Sequence, residues 1–180
     1  LEDFMYGTPL LEEARIAKAN LQKALIKSVW FACDLEEKEK NSSVIPALTI
    51  ENELNNLISF SEKEPGIILL KNEEGVSFDI TKRDLAHYSS VAYAYRVILS
   101  VQQDLYFEQQ NLLPFEAGAE DLIKSFLDKT TLAVLQLADK KSRKINEKEM
   151  SAETFTSAWN VVFTDAEKIN QAEKTPIVKA

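Results

Sequence analysis

The sequence predicts a mainly α protein: a single helical bundle of about five helices with one β-hairpin, about 67–80, packed on it. Three observations lead there. Only four glycines and five prolines punctuate 180 residues, which leaves long uninterrupted stretches. Apolar residues recur at spacings of three and four over most of the chain. One short segment alternates at period two, with Val76, Phe78 and Ile80 set against Ser77 and Asp79.

The first helix is expected from about Pro9 to Lys38, with an apolar stripe from Leu11 through Leu21 and Leu25 to Leu35. Between Leu21 and Cys33 the opposite side is apolar too, through Ile26, Val29 and Trp30, so this half should be covered on more than one side. A second helix, from about Pro46 or Leu48 to Ser61, carries Ile50, Leu54, Leu57 and Ile58. "EKEPG" ends it, because proline disfavours helix in the residue before it and glycine permits the turn. "IILLK" and "VSFDI" then flank "NEEG", where Gly75 supplies the positive φ of a short hairpin loop. A lone hairpin is marginal in water, so this one must pack on helices.

Thr81 with Asp84 three residues on has the form of a capping box, which starts a third helix running to about Gln110. "NLLPFEAGAE" breaks it. A fourth helix is expected from about Ala119 to Arg143. Ser151 caps a fifth, about Ala152 to Gln171, whose inner face holds Phe155, Ala158, Trp159, Val162 and Ile169. Trp30 and Trp159 should both be largely buried. The tail from about 172 should be loose. No repeat at solenoid periods and no long linker interrupts the chain, so residues 1–180 read as one domain.

A formal net charge of −8 argues against nucleic-acid binding, which needs clustered Lys and Arg to neutralise phosphates. "KKSRK", Lys140 to Lys144, reads as favourable charge at a helix C-terminus. One cysteine and one histidine rule out an internal disulfide and a Cys-rich zinc site. Cys33, in "VWFACDL", reads as a small packed hydrophobe. No apolar run is long enough to span a membrane, and none has the form of a signal peptide. The chain begins at Leu1, which fits a processed, exported protein or a trimmed cytoplasmic domain; the compartment stays open.

Motif chemistry is sparse. There is no GxxxxGK[ST] or GxGxxG phosphate cradle, no HExxH, no Glu-x-x-His pair and no GxSxG elbow. No cofactor and no metal is implied. The acidic pairs in "LEEA", "LEEKEK", "NEEG" and "AEDL" fall at helix ends or the hairpin tip. There solvation and helix N-terminal charge explain them, and "KNEEG" lacks the spacing of a calcium loop.

The stretch from Arg83 to Phe107 holds the sole histidine, His87, and four of the five tyrosines. On a helix, Tyr88, Val91, Tyr95, Ile98, Gln102 and Leu105 make a core face. Ser89, Tyr93, Arg96 and Ser100 make another, able to grip a carboxylate or phosphate through the planar fork of Arg96. The plainer expectation is a half-exposed face with Arg96 paired to a Glu or Asp of a neighbouring helix. His87 reads as a boundary residue. Three functions are compatible with this pattern. The first is a non-enzymatic interaction or sensor-type module, whose acidic surface suits a basic protein partner. The second is a bundle binding a small anionic ligand near Tyr93 and Arg96. The third is an enzyme without a readable motif, for which a buried acid beside His87 or Arg96 would be the sign.

Overall fold

In a computed structural model, residues 8–72, 75–81, 93–163 and 169 are described, residues 93–95 by their backbone alone. Among them are five helices: α1 Glu12–Glu39, α2 Ala47–Leu57, α3 Tyr93–Phe107, α4 Glu120–Lys144 and α5 Ala152–Val162. Three strands, β1 Ser59–Glu64, β2 Ile67–Lys71 and β3 Ser77–Thr81, form an antiparallel sheet in the order β1-β2-β3. The mainly α class with a small hairpin-based sheet is thus what the sequence predicts. Helix α1 packs against α2, α3 and α5, while α4 packs against α2, α3, α5 and the sheet.

The sheet differs from expectation by one strand. Residues 59–61 do not finish the second helix. Ile58 leaves it in extended conformation (φ −155°, ψ 141°), and Ser59–Glu64 pairs with β2. Pro65 and Gly66 (φ +92°) make the turn between β1 and β2 rather than a helix stop. The strand escapes a pattern search because it is an edge: in "SFSEKE" only Phe60 is partly covered. The period-two reading of β3 holds, with Ile80 buried, Val76 and Phe78 half-buried, and Ser77 and Asp79 exposed. Leu70 stands opposite Phe60 on one side and Phe78 on the other, so these side chains share the sheet face that meets α4. There Phe60 meets the edge of Phe126 at 5.3 Å between ring centroids, and Lys129 lies 4.9 Å over Phe60.

The helices repeat one design. Shifted by 105 residues, the end of α1 at Glu39 falls on the end of α4 at Lys144, and the start of α2 at Ala47 falls on the start of α5 at Ala152. Asn41 (φ 60°) falls on Asn146 (φ 58°), the left-handed residue that ends each long helix. Each end is a full Schellman motif, with Ser42 N–H donating to Glu37 O and Glu147 N–H donating to Ser142 O. The isolated parallel bridge of Ile45 with Phe115 falls on that of Met150 with Leu10. Each half therefore lends the segment before its long helix to the link between the two helices of the other half. Backbone bonds fix the exchange: Ile45 N–H to Pro114 O at 2.8 Å and Met150 N–H to Pro9 O at 2.6 Å.

Side chains obey the same pattern. Asp34 accepts from Leu113 N–H at 2.7 Å and pairs with Lys38 at 3.0 Å. Asp139, its counterpart, accepts from the Thr8 hydroxyl at 2.6 Å and pairs with Arg143 at 3.0 Å. The first N–H of α2, on Ala47, donates to Glu116 of the second half, and that of α5, on Ala152, donates to Glu13 of the first. A carboxylate at a helix N-terminus satisfies an orphan donor and complements the dipole. Glu37 accepts from the Thr49 hydroxyl at 2.7 Å. Glu147 accepts from those of Ser142 and Thr154, each at 2.9 Å. Positions 37, 42 and 49 hold Glu, Ser and Thr, and their counterparts 142, 147 and 154 hold Ser, Glu and Thr. The carboxylate and one hydroxyl have exchanged places.

Two helix boundaries differ from the sequence reading. Helix α5 stops at Val162, well before Gln171, because Phe163 turns extended (φ −106°, ψ 116°) to pack, fully buried, 4.6 Å from the ring of Trp159. Its counterpart Ile58 leaves α2 in the same way. In α1 the apolar stripe does not reach Leu35, which is 63% exposed; Asp34 and Glu37 are buried there instead. The second apolar side is the deeper one, with Ile26, Val29, Trp30 and Cys33 all in the core. Thr81 is the last residue of β3, while Asp84, its expected capping-box partner, and the loose tail from 172 lie outside the described residues.

Trp159 is fully buried against Phe155 and Phe163. Trp159→Ala should therefore lower unfolding free energy by about 3–5 kcal/mol in a urea titration. A second expectation concerns Glu37, whose carboxyl is held below the usual carboxylate range by the Thr49 hydroxyl first, then by Ser42 and Lys40. A depressed folded value contributes stability above the unfolded pKa and loses it as pH falls through the folded one. Thr49→Val should therefore destabilise at neutral pH, and the gap to wild type should close on acidification, as read by urea unfolding at a series of pH values.

Candidate functional site

Helices α1 and α3 run side by side in the same direction, joined at one end by charge. Lys23 reaches Asp104 at 3.2 Å, and the buried Lys27 reaches Asp104 at 3.8 Å and Glu108 at 3.6 Å. Towards the start of both helices the pair opens into a groove of about 350 Å³, lined by Arg15, Lys18, Ala19, Gln22 and Lys23 of α1 and by Arg96, Val97 and Ser100 of α3. Its size falls within the usual range for small-ligand sites, about 300–1,000 Å³. Gln22 is buried and is fixed to α4 by a 3.0 Å bond from its Nε2 to the Thr131 hydroxyl.

Four of the eight lining residues are cationic, in a chain of net charge −8. Their engagements differ. Lys23 is held by Asp104, and Arg15 and Lys18 have interactions of their own. Arg96 is exposed, and among the described residues no carboxylate pairs with it. The ion pair expected for Arg96 with a neighbouring helix is therefore not found among them. Ser100, one turn on and half-buried, adds a hydroxyl to the same groove.

Of the residues singled out from sequence, Arg96 and Ser100 come together in this groove. Tyr93 lies in the first described turn of α3, its side chain outside the described residues; Ser89 and His87 lie outside them altogether. The α1 contribution is absent from the sequence reading. Its signal is present in "ARIAKANLQK", where Arg15, Lys18 and Lys23 recur near helical spacing in an otherwise acidic chain.

The duplicated architecture gives an internal control. The counterparts of Arg15 and Lys23 on α4 are Glu120 and Asp128, so the same positions of the same unit accept the opposite charge. The helical framework does not itself require cations there.

Other groups suited to chemistry are accounted for structurally. Burial first, then the charges of Glu53, Glu36 and Glu37, pushes the Cys33 thiol up to about 12. Glu147 is raised by burial, but bonds from Thr154, Ser151 and Ser142 outweigh this and hold it below its ordinary value. Among the described residues no cluster of His, Cys, Asp and Glu is placed to hold a metal ion, and no helix is long and apolar enough to cross a membrane. Comparison with protein-family models, with curated proteins and with solved structures finds no match.

Cys33, fully buried and held as the thiol, should not react with iodoacetamide at neutral pH in the native protein. Full labelling is expected in denaturant, and mass spectrometry of both samples checks it.

Proposed function

We propose that this chain is a non-enzymatic binding module that takes an anionic ligand in the groove between α1 and α3. Arg96 is the anchor, Ser100 the second donor, and Tyr93 and Ser89 are further candidates on the same stretch. The observation that carries this reading is the exposed Arg96, lining a groove rimmed by cations, with no carboxylate paired to it among the described residues. A guanidinium offers paired N–H donors that match a carboxylate or phosphate, and charge-assisted bonds of this kind are the stronger ones.

Electrostatics favours the same location. The chain as a whole repels anions, while like charges gathered round one opening attract them locally. A bound anion would place negative charge beside Arg96 in a groove whose lining also includes Arg15 and Lys18. The counterpart of Arg15 on α4 is Glu120, so the shared helical framework does not require a cation at that position.

Isothermal titration with inorganic phosphate and with citrate tests the reading. Binding to wild type should weaken with added salt. Arg96→Met should lose about tenfold or more in affinity, while its unfolding free energy stays within about 0.5 kcal/mol of wild type, as befits an exposed side chain. Unchanged binding in Arg96→Met would overturn it.

A further inference from the structure

We infer that the anionic ligand is the acidic end of an amphipathic helix from a protein partner, whose apolar residues lie on the outer face of α3. This rests on the anion-binding reading of the groove. Helix α3 carries an exposed row in which Arg96, Leu99, Gln103, Tyr106 and Phe107 recur at spacings of three and four. Leu99 is 41% exposed, and Tyr106 and Phe107 are each 79% exposed. The two rings meet edge to face at 5.8 Å, so they form one joint apolar ledge.

That ledge is held in place. Helix α3 closes with a Schellman motif at the left-handed Gln109 (φ 57°), where Gln110 N–H donates to Leu105 O. Glu108 is drawn to Lys27 on α1. Large rigid aromatics that lose little entropy on binding are the side chains that dominate protein interfaces. From Arg96 to Phe107 the row spans about 16 Å at the helical rise, three turns. A partner helix of three turns would set a carboxylate at the basic groove and apolar side chains on the ledge, the helix-in-groove mode of recognition.

Charge selects among occupants. An anionic bilayer would meet a chain of net charge −8, with Asp104 and Glu108 beside the aromatics, and would be repelled. Nucleic acid is disfavoured for the same reason. A short segment with acid at one end and apolar residues three turns away presents its charge only where the cations stand.

The probe is a fluorescein-labelled helical peptide of alanine and glutamine, with two glutamates one turn apart and leucine and phenylalanine three turns along the same face. A peptide of identical composition with those residues dispersed round the helix is the control. In fluorescence anisotropy the matched peptide should bind about tenfold or more tightly than the control. Arg96→Met, and Tyr106→Ser combined with Phe107→Ser, should each weaken it about tenfold. The double variant should still bind inorganic phosphate like wild type. Peptide binding lost in Arg96→Met but unchanged in the double variant would overturn the helix inference and leave the anion site standing. Neither variant affecting either ligand would overturn both. Binding of phosphatidylserine vesicles that depends on Tyr106 and Phe107, without peptide binding, would overturn the inference in favour of a membrane surface.

Discussion

The fold depends on one reciprocal exchange of backbone. Residues 9–11, just before α1, bond to Met150 between α4 and α5; residues 114–116, just before α4, bond to Ile45 between α1 and α2. Neither link could be buried without these partners, because an unpaired peptide group in the interior is expensive. The prolines help to set the geometry: Pro9 and Pro114 offer carbonyls, and their own missing N–H leaves no donor to satisfy. Once the bridges form, each short helix is placed under the other half's long helix, and Glu116 and Glu13 arrive at the N-termini of α2 and α5. The core of Ile45, Ile50 and Leu54 on one side, and Met150, Phe155 and Trp159 on the other, packs within the frame that these hydrogen bonds hold.

Equivalence of backbone has not meant equivalence of chemistry. The second half packs through aromatics, Phe155, Trp159 and Phe163, where the first uses Ile50, Leu54 and Ile58. In the polar triangle a carboxylate and a hydroxyl have changed places, so the requirement is one acceptor among hydroxyl donors at a buried helix end, not a given residue at a given position. The larger divergence is outside the core. After α2 the chain builds a sheet that covers α4 and then α3, which leans on α1. The groove lies between α1 and α3, beside the ion pairs of Lys23 and Lys27 and towards Arg15 and Arg96.

Much of this is legible in sequence, and the rest is hidden for physical reasons. The starts of α1, α2, α4 and α5 and the β3 alternation emerge from periodicity and caps, because those residues are half-covered and their pattern records one inward face; the expected start of the third helix lies outside the described residues. Residues 59–61 read as the end of a helix because an edge strand with only Phe60 covered leaves no alternation. The end of α5 is hidden because Phe163 leaves the helix for a tertiary contact with Trp159, with no glycine or proline to signal it. The duplication is invisible at solenoid periods. It survives in backbone geometry and in pairs such as Asp34 with Asp139 and Asn41 with Asn146, while most core pairs differ in size and shape. Half of the candidate site, Arg96 and Ser100, comes from one helix face. The other half depends on α1 lying opposite, which only tertiary contact reveals.

The asymmetry between the two ends of the α1–α3 pair is also the best guide to what the molecule can do. At the Lys27 end Lys23 and Lys27 each reach a carboxylate, and Asp104 and Glu108 help to offset the burial of Lys27, which is nearly inaccessible to solvent. Towards Arg96 the groove lining carries Arg15, Lys18 and Arg96 and no acid. The paired end fixes the helices against each other. The opposite end is held in register by it, so cations can line the groove there without the helices separating. Stability and recognition are thus divided along one helix pair: Asp104 and Glu108 hold it together, and Arg96 faces solvent with no carboxylate on its fork among the described residues.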